Sequence, residues 1–392
     1  MSEDTPSTLE NSPSEPSAKP EGLPGLYVHI PFCVRKCLYC GFYSVTDFSP
    51  LPEYLTALRR EMLFYRGWAP LFDTLYIGGG TPSVLPLPEL EKLISDIRGI
   101  FPISEDAEIT VEANPADLDA GLLNALRRTG VNRLNIGVQS FDEGILSFLG
   151  RRHNRAQAAA AIAAARAAGI GNIGIDLIYG VPGQSLSLWL ATLREAVAFS
   201  AEHLSCYQIT LEDGTSLAEQ FRRGEIVFPD EALQADFFRK TSEFLEDHGY
   251  SHYEISNFSL PGRESRHNRK YWDYVPYLGL GPAAHSFSGR ERRWNQRDVN
   301  MYIENLASGR SPVQSTETLT NEQLCLEALF LGFRTRRGIC LETFKIRYGR
   351  DLVTEKQGVL KRLSEEGLVE IRDGFLRPTR AGMAVADALA LI

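Results

Sequence analysis

Three of the chain's six cysteines, Cys33, Cys37 and Cys40, fall within eight residues. The spacing Cys-x3-Cys-x2-Cys puts three thiolates on one short loop, where they can converge on a single centre and leave a fourth coordination position without a local ligand. Iron–sulfur clusters are held by thiolates and usually take four; structural zinc also takes four and closes its site. On spacing alone three readings stay open: a cluster with one open iron, a zinc site completed from elsewhere, or unligated core cysteines. Cys206, Cys325 and Cys340 share no such spacing and read as buried, hydrophobe-like thiols.

Other residues could join that chemistry. Gly78-Gly79-Gly80-Thr81-Pro82 ends an apolar run; glycines there either let the backbone approach a ligand closely or form a tight turn. Glu112 (in TVEANP), Gln139 (in NIGVQSFD), Arg151 and Asp176 (in GIDLIYGVPGQ) each read singly as packing or surface groups. In His267-Asn268-Arg269-Lys270-Tyr271-Trp272 an imidazole is flanked by two large rings. Such a segment could ligate a heme iron and cover the porphyrin, or be a polar turn with aromatic anchors. His285, in a Gly-rich stretch, could contact heme or be a satisfied histidine in a turn.

Positioning these residues requires regular elements. Apolar runs predict strands at Leu26–Ile30, Thr74–Ile77, Glu108–Glu112, Arg133–Val138, Ile173–Ile178 and Leu204–Thr210. Helical stretches separate them at Pro52–Tyr65, Pro88–Ile100, Ala116–Thr129, Arg155–Ala168 and Ser187–Ser200, the fourth stopping at Gly169. This alternation predicts an α/β fold with a parallel sheet, curled as a partial barrel or open and doubly wound. The candidate residues fall near the C-terminal ends of successive strands, the face on which β/α barrels build their sites. A partial (β/α)6 TIM-type barrel over 23–225 is therefore expected. Residues 226–310 would extend it, with an irregular aromatic-rich stretch at 250–302. Residues 311–392 read as helices, a hairpin and a final helix, a winged-helix-like domain.

Composition narrows the function classes. A 392-residue chain with a net charge of −9 is a poor non-specific nucleic-acid or anionic-membrane binder. Residues 311–392 carry 12 Lys and Arg against 11 Asp and Glu, without the basic excess of a DNA reader. No apolar run approaches the roughly 18 residues of a membrane span. Residues 1–22 are rich in Ser, Pro and acidic side chains and predict a disordered tail without the apolar stretch of a secretory signal. A cytoplasmic location with reduced thiols is expected.

The cysteine motif resembles that of the radical S-adenosylmethionine (SAM) superfamily, and Tyr27-Val28-His29-Ile30-Pro31-Phe32-Cys33 is similar to the entry of the cluster loop in oxygen-independent coproporphyrinogen III oxidases and their relatives. The resemblance implies that Cys33, Cys37 and Cys40 hold a [4Fe-4S] cluster whose fourth iron is chelated by SAM. It further implies SAM contacts from Tyr27, Phe42, Gly78, Gly79, Gly80, Thr81, Glu112, Gln139, Arg151 and Asp176. Oxidases of the group carry a fourth cysteine two residues after the third, where this chain has Phe42. Phe there, together with HNxxYW, resembles the HemW-type heme chaperones. Heme contact from His267, Tyr271 and Trp272 and heme-accepting protein partners follow from that resemblance, with a homodimer as one expected assembly. Oxidation of coproporphyrinogen III is the alternative activity.

Overall fold

The computed structural model describes residues 22–392; the expected tail lies outside them except for Gly22. Six parallel strands form the body: β1 (Gly25–Ile30), β2 (Phe72–Gly79), β3 (Ile103–Ala113), β4 (Arg133–Gln139), β5 (Ile173–Tyr179) and β6 (His203–Gln208). Crossover helices Leu51–Phe64, Leu87–Ile100, Ala120–Arg128, Arg155–Ala167 and Leu186–Ala198 cover their outer side. Along β1, Leu26, Val28 and Ile30 are fully buried in the core beneath this layer. Side chains alternate across a strand, so Tyr27 and His29 face the barrel interior. Each such buried aliphatic residue contributes about 1.5–3 kcal/mol.

Local chemistry sets the helix ends. In Arg155–Ala167, Asn154 and Gln157 form a capping box, and Gly169 takes the left-handed φ of +83° that ends the helix. Ala158, Ala161, Ile162 and Ala165 make up its buried face.

Residues 250–302 are more regular than expected. They contain β7 (Ser251–Glu254), β8 (Asn257–Ser259), β9 (Tyr277–Leu280), β10 (His285–Phe287) and β11 (Glu291–Asn295), with helices Arg266–Trp272 and Val299–Ala307. Strands of three to five residues carry too little periodicity to be read locally. They exist because β9 adds parallel to β1 and β8 adds antiparallel to β6. With β12 (Val313–Thr318), twelve strands follow the order β12-β11-β10-β9-β1-β2-β3-β4-β5-β6-β8-β7. The end strands β12 and β7 are not neighbours in this order, so the barrel stays open on one side.

The chain ends in helix Asn321–Phe333, β13 (Ile339–Cys340), helices Leu341–Tyr348, Leu352–Glu355 and Gln357–Glu365, the hairpin of β14 (Val369–Arg372) and β15 (Phe375–Pro378), and two short helical turns. This winged-helix order surrounds its own core of Leu329, Phe333, Phe344, Leu360 and Leu376. Ion pairs tie it to the body: Glu246 with Arg336 and Arg380, Glu254 with Arg334, and Arg292 with Glu327. Cys206 and Cys325 are buried as expected, whereas Cys340 is only partly so because it caps a surface helix.

Candidate functional site

The cluster loop leaves β1 and is pinned back onto it. Val45 N–H donates to the Pro31 carbonyl at 2.7 Å and Cys33 N–H to the Val45 carbonyl at 3.0 Å. This closure holds Cys33, Cys37 and Cys40 over the C-terminal end of the barrel. All three line one cavity of about 750 Å³, together with Phe42, Gly79, Gly80, Thr81, Glu112, Gln139, Arg151 and Asp176. The thiols are free of disulfides. Among the described residues no three His, Cys, Asp or Glu side chains are gathered tightly enough for one metal ion. The sulfurs face a shared space rather than a point.

Each polar residue of the cavity is fixed by its neighbours. Cys33 Sγ lies 3.3 Å from Thr81 Oγ1. Arg151 donates to Cys37 Sγ at 3.2 Å and to the Gly137 carbonyl at 2.6 Å. Glu112 accepts from the Tyr76 hydroxyl at 2.7 Å and from Gly79 N–H at 3.1 Å. Burial pushes the Glu112 carboxyl up to about 7, against the pull of the Tyr76 hydrogen bond. Asp176 accepts from Asn135 at 2.6 Å, and burial raises its carboxyl too. Gln139 sits at a φ of +70° beside a register shift at the end of β4, where the strand gives way to the cavity wall.

Two residues expected at SAM do not line the cavity. Tyr27 lies deeper, donating its hydroxyl to His29 Nδ1 at 3.0 Å while His29 Nε2–H donates to the Tyr43 carbonyl at 2.9 Å. Gly78 is occluded from it by the Tyr76 ring and the Glu112 carboxyl, both within 3 Å of where a Cβ would stand. Phe42 is 70% exposed at the cavity rim.

The aromatic segment forms helix Arg266–Trp272, which seals the opposite, N-terminal end of the barrel. Its first N–H groups, on Arg266 and His267, donate to Glu108 at 3.0 and 2.9 Å. His267 is fully buried, with Nδ1 2.8 Å from Thr74 Oγ1 and Nε2 2.9 Å from the Tyr271 hydroxyl. Burial lowers its pKa to about 3 and keeps the ring neutral. Both nitrogens are engaged, so in this conformation neither faces an iron; ligation requires exchanging one of these bonds. Tyr271 and Trp272 are half-buried, packed edge-on against Tyr277 and Tyr253. His285 is exposed on β10.

The cavity also holds groups that motif reading missed. Arg133 is 1% exposed, lines the cavity, and leaves Nε and Nη1 without hydrogen-bond partners. Asn135 and Tyr76 line it as well. The available signal was strand parity: Arg133 and Asn135 share one face of β4, four and two residues below Gly137. The orphaned Asp176 Oδ1 and Arg151 Nε, beside three free thiols, form a donor set suited to a sulfur-ligated cluster and a polar zwitterionic ligand.

Comparison with known proteins agrees with this geometry. Residues 27–196 match the Radical SAM superfamily and residues 319–385 the HemN C-terminal domain. The chain is 37% identical to heme chaperone HemW of Bacillus subtilis, covering 92% of this chain and 96% of that protein. It is 36% identical to heme chaperone HemW of Mycobacterium tuberculosis, covering 93% of each. The solved coproporphyrinogen III oxidase HemN of Escherichia coli superposes with a TM-score of 0.82 at 24% identity, over 96% of this chain and 91% of that one, a likeness of fold. A chain with this cysteine loop at the mouth of a partial barrel, and with this identity over more than nine-tenths of its length, belongs to the HemW family of radical SAM proteins.

Proposed function

We propose that this protein binds heme and passes it to heme-accepting proteins in the cytoplasm, and that it holds a [4Fe-4S] cluster and SAM at the barrel mouth. The observation that carries this reading is 37% identity to a heme chaperone over 96% of that relative's length, both domains included. Phe42 supports it: where the resembling oxidases carry a fourth cysteine, this chain has an exposed ring. Superfamily membership implies the cluster and SAM, and the free thiols fit a reducing compartment. No helix among the described residues is long and apolar enough to cross a membrane.

Within this reading Cys33, Cys37 and Cys40 hold the cluster, which with SAM supplies one-electron cleavage of the sulfonium. Arg151 offsets thiolate charge at Cys37, Thr81 Oγ1 supports Cys33, and Gly79, Gly80, Glu112, Gln139 and Asp176 wall the SAM pocket. Tyr27 acts on that pocket through His29 rather than by lining it. Tyr271 and Trp272 offer ring faces to heme, and His267 holds the helix that presents them.

Anaerobic heme titration of cluster-loaded protein, with iron and sulfide analysis on the same sample, tests the proposal. Saturable heme binding by protein carrying about four irons is expected. A loaded protein that does not bind heme, yet converts coproporphyrinogen III in the presence of SAM and reductant, would replace this reading with the oxidase.

A further inference from the structure

Beneath its mouth the cavity holds a cation that the cluster chemistry leaves unused. Arg133, Asn135, Gly137 and Gln139 share the inward face of β4 and all line the cavity, in a column that runs from the barrel floor to the mouth. Near the top of the column the Gly137 carbonyl holds Arg151, which donates to Cys37 Sγ. The Arg133 backbone lies four residues, about 13 Å, below Gly137. Its side chain rises only to the level of Asn135. Nη2 is 3.1 Å from where a Cβ would stand on Gly174, the residue of β5 that pairs with Asn135. Gly137 and Arg151 belong to the next level up.

Arg133 is 1% exposed, its Nε and Nη1 have no hydrogen-bond partner, and no carboxylate among the described residues forms an ion pair with it. The buried acids of the cavity are engaged elsewhere: Glu112 accepts from Tyr76 and Gly79, and Asp176 from Asn135. Burial raises both carboxyls, which weakens the charge they set against the guanidinium. Thr110, paired with Arg133 across β3 and β4 and fully buried, also leaves its hydroxyl without a partner. A buried cation with no anion costs several kcal/mol, and an unmet hydroxyl about 1–3 kcal/mol. Water satisfies such N–H and O–H groups but brings no charge. These groups at one level of the sheet therefore match an anion with more than one acceptor oxygen.

We propose that the cavity takes a second ligand beneath SAM, an organic carboxylate whose oxygens bind Arg133 and the Thr110 hydroxyl near the base of the chamber. This site rests on the reading of the mouth as the SAM pocket. SAM held on the open cluster iron keeps its amino-acid end beside Arg151, a level above Arg133, so the lower cation is left to another molecule. The volume of about 750 Å³ lies towards the upper end of the roughly 300–1,000 Å³ of small-molecule pockets. Tyr76 and Ile178 add ring and aliphatic surface to the wall, which suits a carboxylate borne on a short apolar arm.

The test titrates carboxyl-labelled ¹³C-propionate anaerobically into full-length, cluster-loaded protein, with and without saturating SAM, and follows the carboxyl line width by NMR. Propionamide is the uncharged counterpart. Wild type is expected to bind propionate saturably while SAM is bound, and not to bind propionamide. Arg133→Gln is expected to bind propionate at least about tenfold more weakly with SAM affinity at the wild-type value, and Thr110→Val to weaken it severalfold. Arg133→Lys, which keeps the charge, should retain part of the affinity. Wild-type protein that binds SAM but no propionate, or from which SAM displaces propionate, overturns the second site whether or not the variants fold. Equal propionate affinity in wild type and Arg133→Gln overturns it too. In each of these cases the SAM reading stands; a cluster-loaded protein that takes up no SAM overturns both.

Discussion

The Arg151 guanidinium donates to Cys37 Sγ at 3.2 Å and anchors itself on the Gly137 carbonyl at 2.6 Å, linking the cluster loop to the end of β4. A hydrogen bond to a charged sulfur contributes about 1.5–3 kcal/mol, more where water is scarce. Arg151→Gln removes the positive charge with little change of volume. It is expected to fold, to take up a cluster and then to lose iron faster than wild type on anaerobic desalting. Equal iron retention in the two proteins would mean that the contact stabilises nothing.

His267 makes the opposite kind of prediction, one of stability. Its ring joins Thr74 on β2 to Tyr271 on the sealing helix inside a dry environment. His267→Ala empties that volume and leaves Thr74 Oγ1 without its partner. Together these cost roughly 2–4 kcal/mol. A clear fall in the unfolding midpoint is expected, with cluster content per folded molecule unchanged. A midpoint at the wild-type value would show that the helix is held by other contacts.

Glu61 gives a pH dependence far from the cluster. Fully buried, it accepts hydrogen bonds from Tyr302 Oη at 2.6 Å, Gly281 N–H at 2.7 Å and Asn295 Nδ2 at 2.6 Å, yet burial still raises its pKa from 4.5 to about 7. A carboxyl whose folded pKa exceeds its unfolded pKa binds a proton on folding, so its contribution favours the fold at low pH. That contribution is lost as pH rises from about 4.5 to about 7 and is flat above. One pKa unit corresponds to about 1.4 kcal/mol, so the loss amounts to a few kcal/mol. Melting temperatures of wild type and Glu61→Gln are expected to lie closest near pH 5, where Glu61 is protonated, and to diverge towards pH 8 as the wild type alone loses stability, with the shallower slope in the variant. Parallel curves would sink the assignment.

The barrel was legible because its strands and helices are long enough to show their periods: Arg155–Ala167 carries both its cap and its terminating glycine in the sequence. The cysteine loop was legible because three ligands lie in one short segment. Arg133 was not, since nothing in RLNIGVQ says that the strand's polar face points into a cavity rather than to solvent. The burial of His267 was not legible for a related reason. HNRKYW reads as a heme-contacting segment or a polar turn with aromatic anchors until the fold draws its helix beneath the barrel floor, through a contact between residues some 190 positions apart in sequence. Pairings of that range leave no local pattern.

Gly79 is the sharpest test of how tightly the SAM wall is built. It adopts a φ of +108°, and a Cβ there would stand 2.5 Å from the His29 ring. The ring cannot retreat, because Tyr27 Oη and the Tyr43 carbonyl hold its two nitrogens. Gly79→Ala thus combines backbone strain of about 1–3 kcal/mol with a clash that displaces either His29 or the N–H donated to Glu112. Gly67→Ala is the control, since Gly67 also has a positive φ, +80°, but nothing within 4 Å of its would-be Cβ. Both variants are expected to be destabilised by strain. Only Gly79→Ala should lose SAM affinity in calorimetry of the cluster-loaded protein, by an order of magnitude or more. Equal SAM affinity in the two would mean that the pocket wall can shift to accept a methyl group and that Glu112 does not depend on the Gly79 amide.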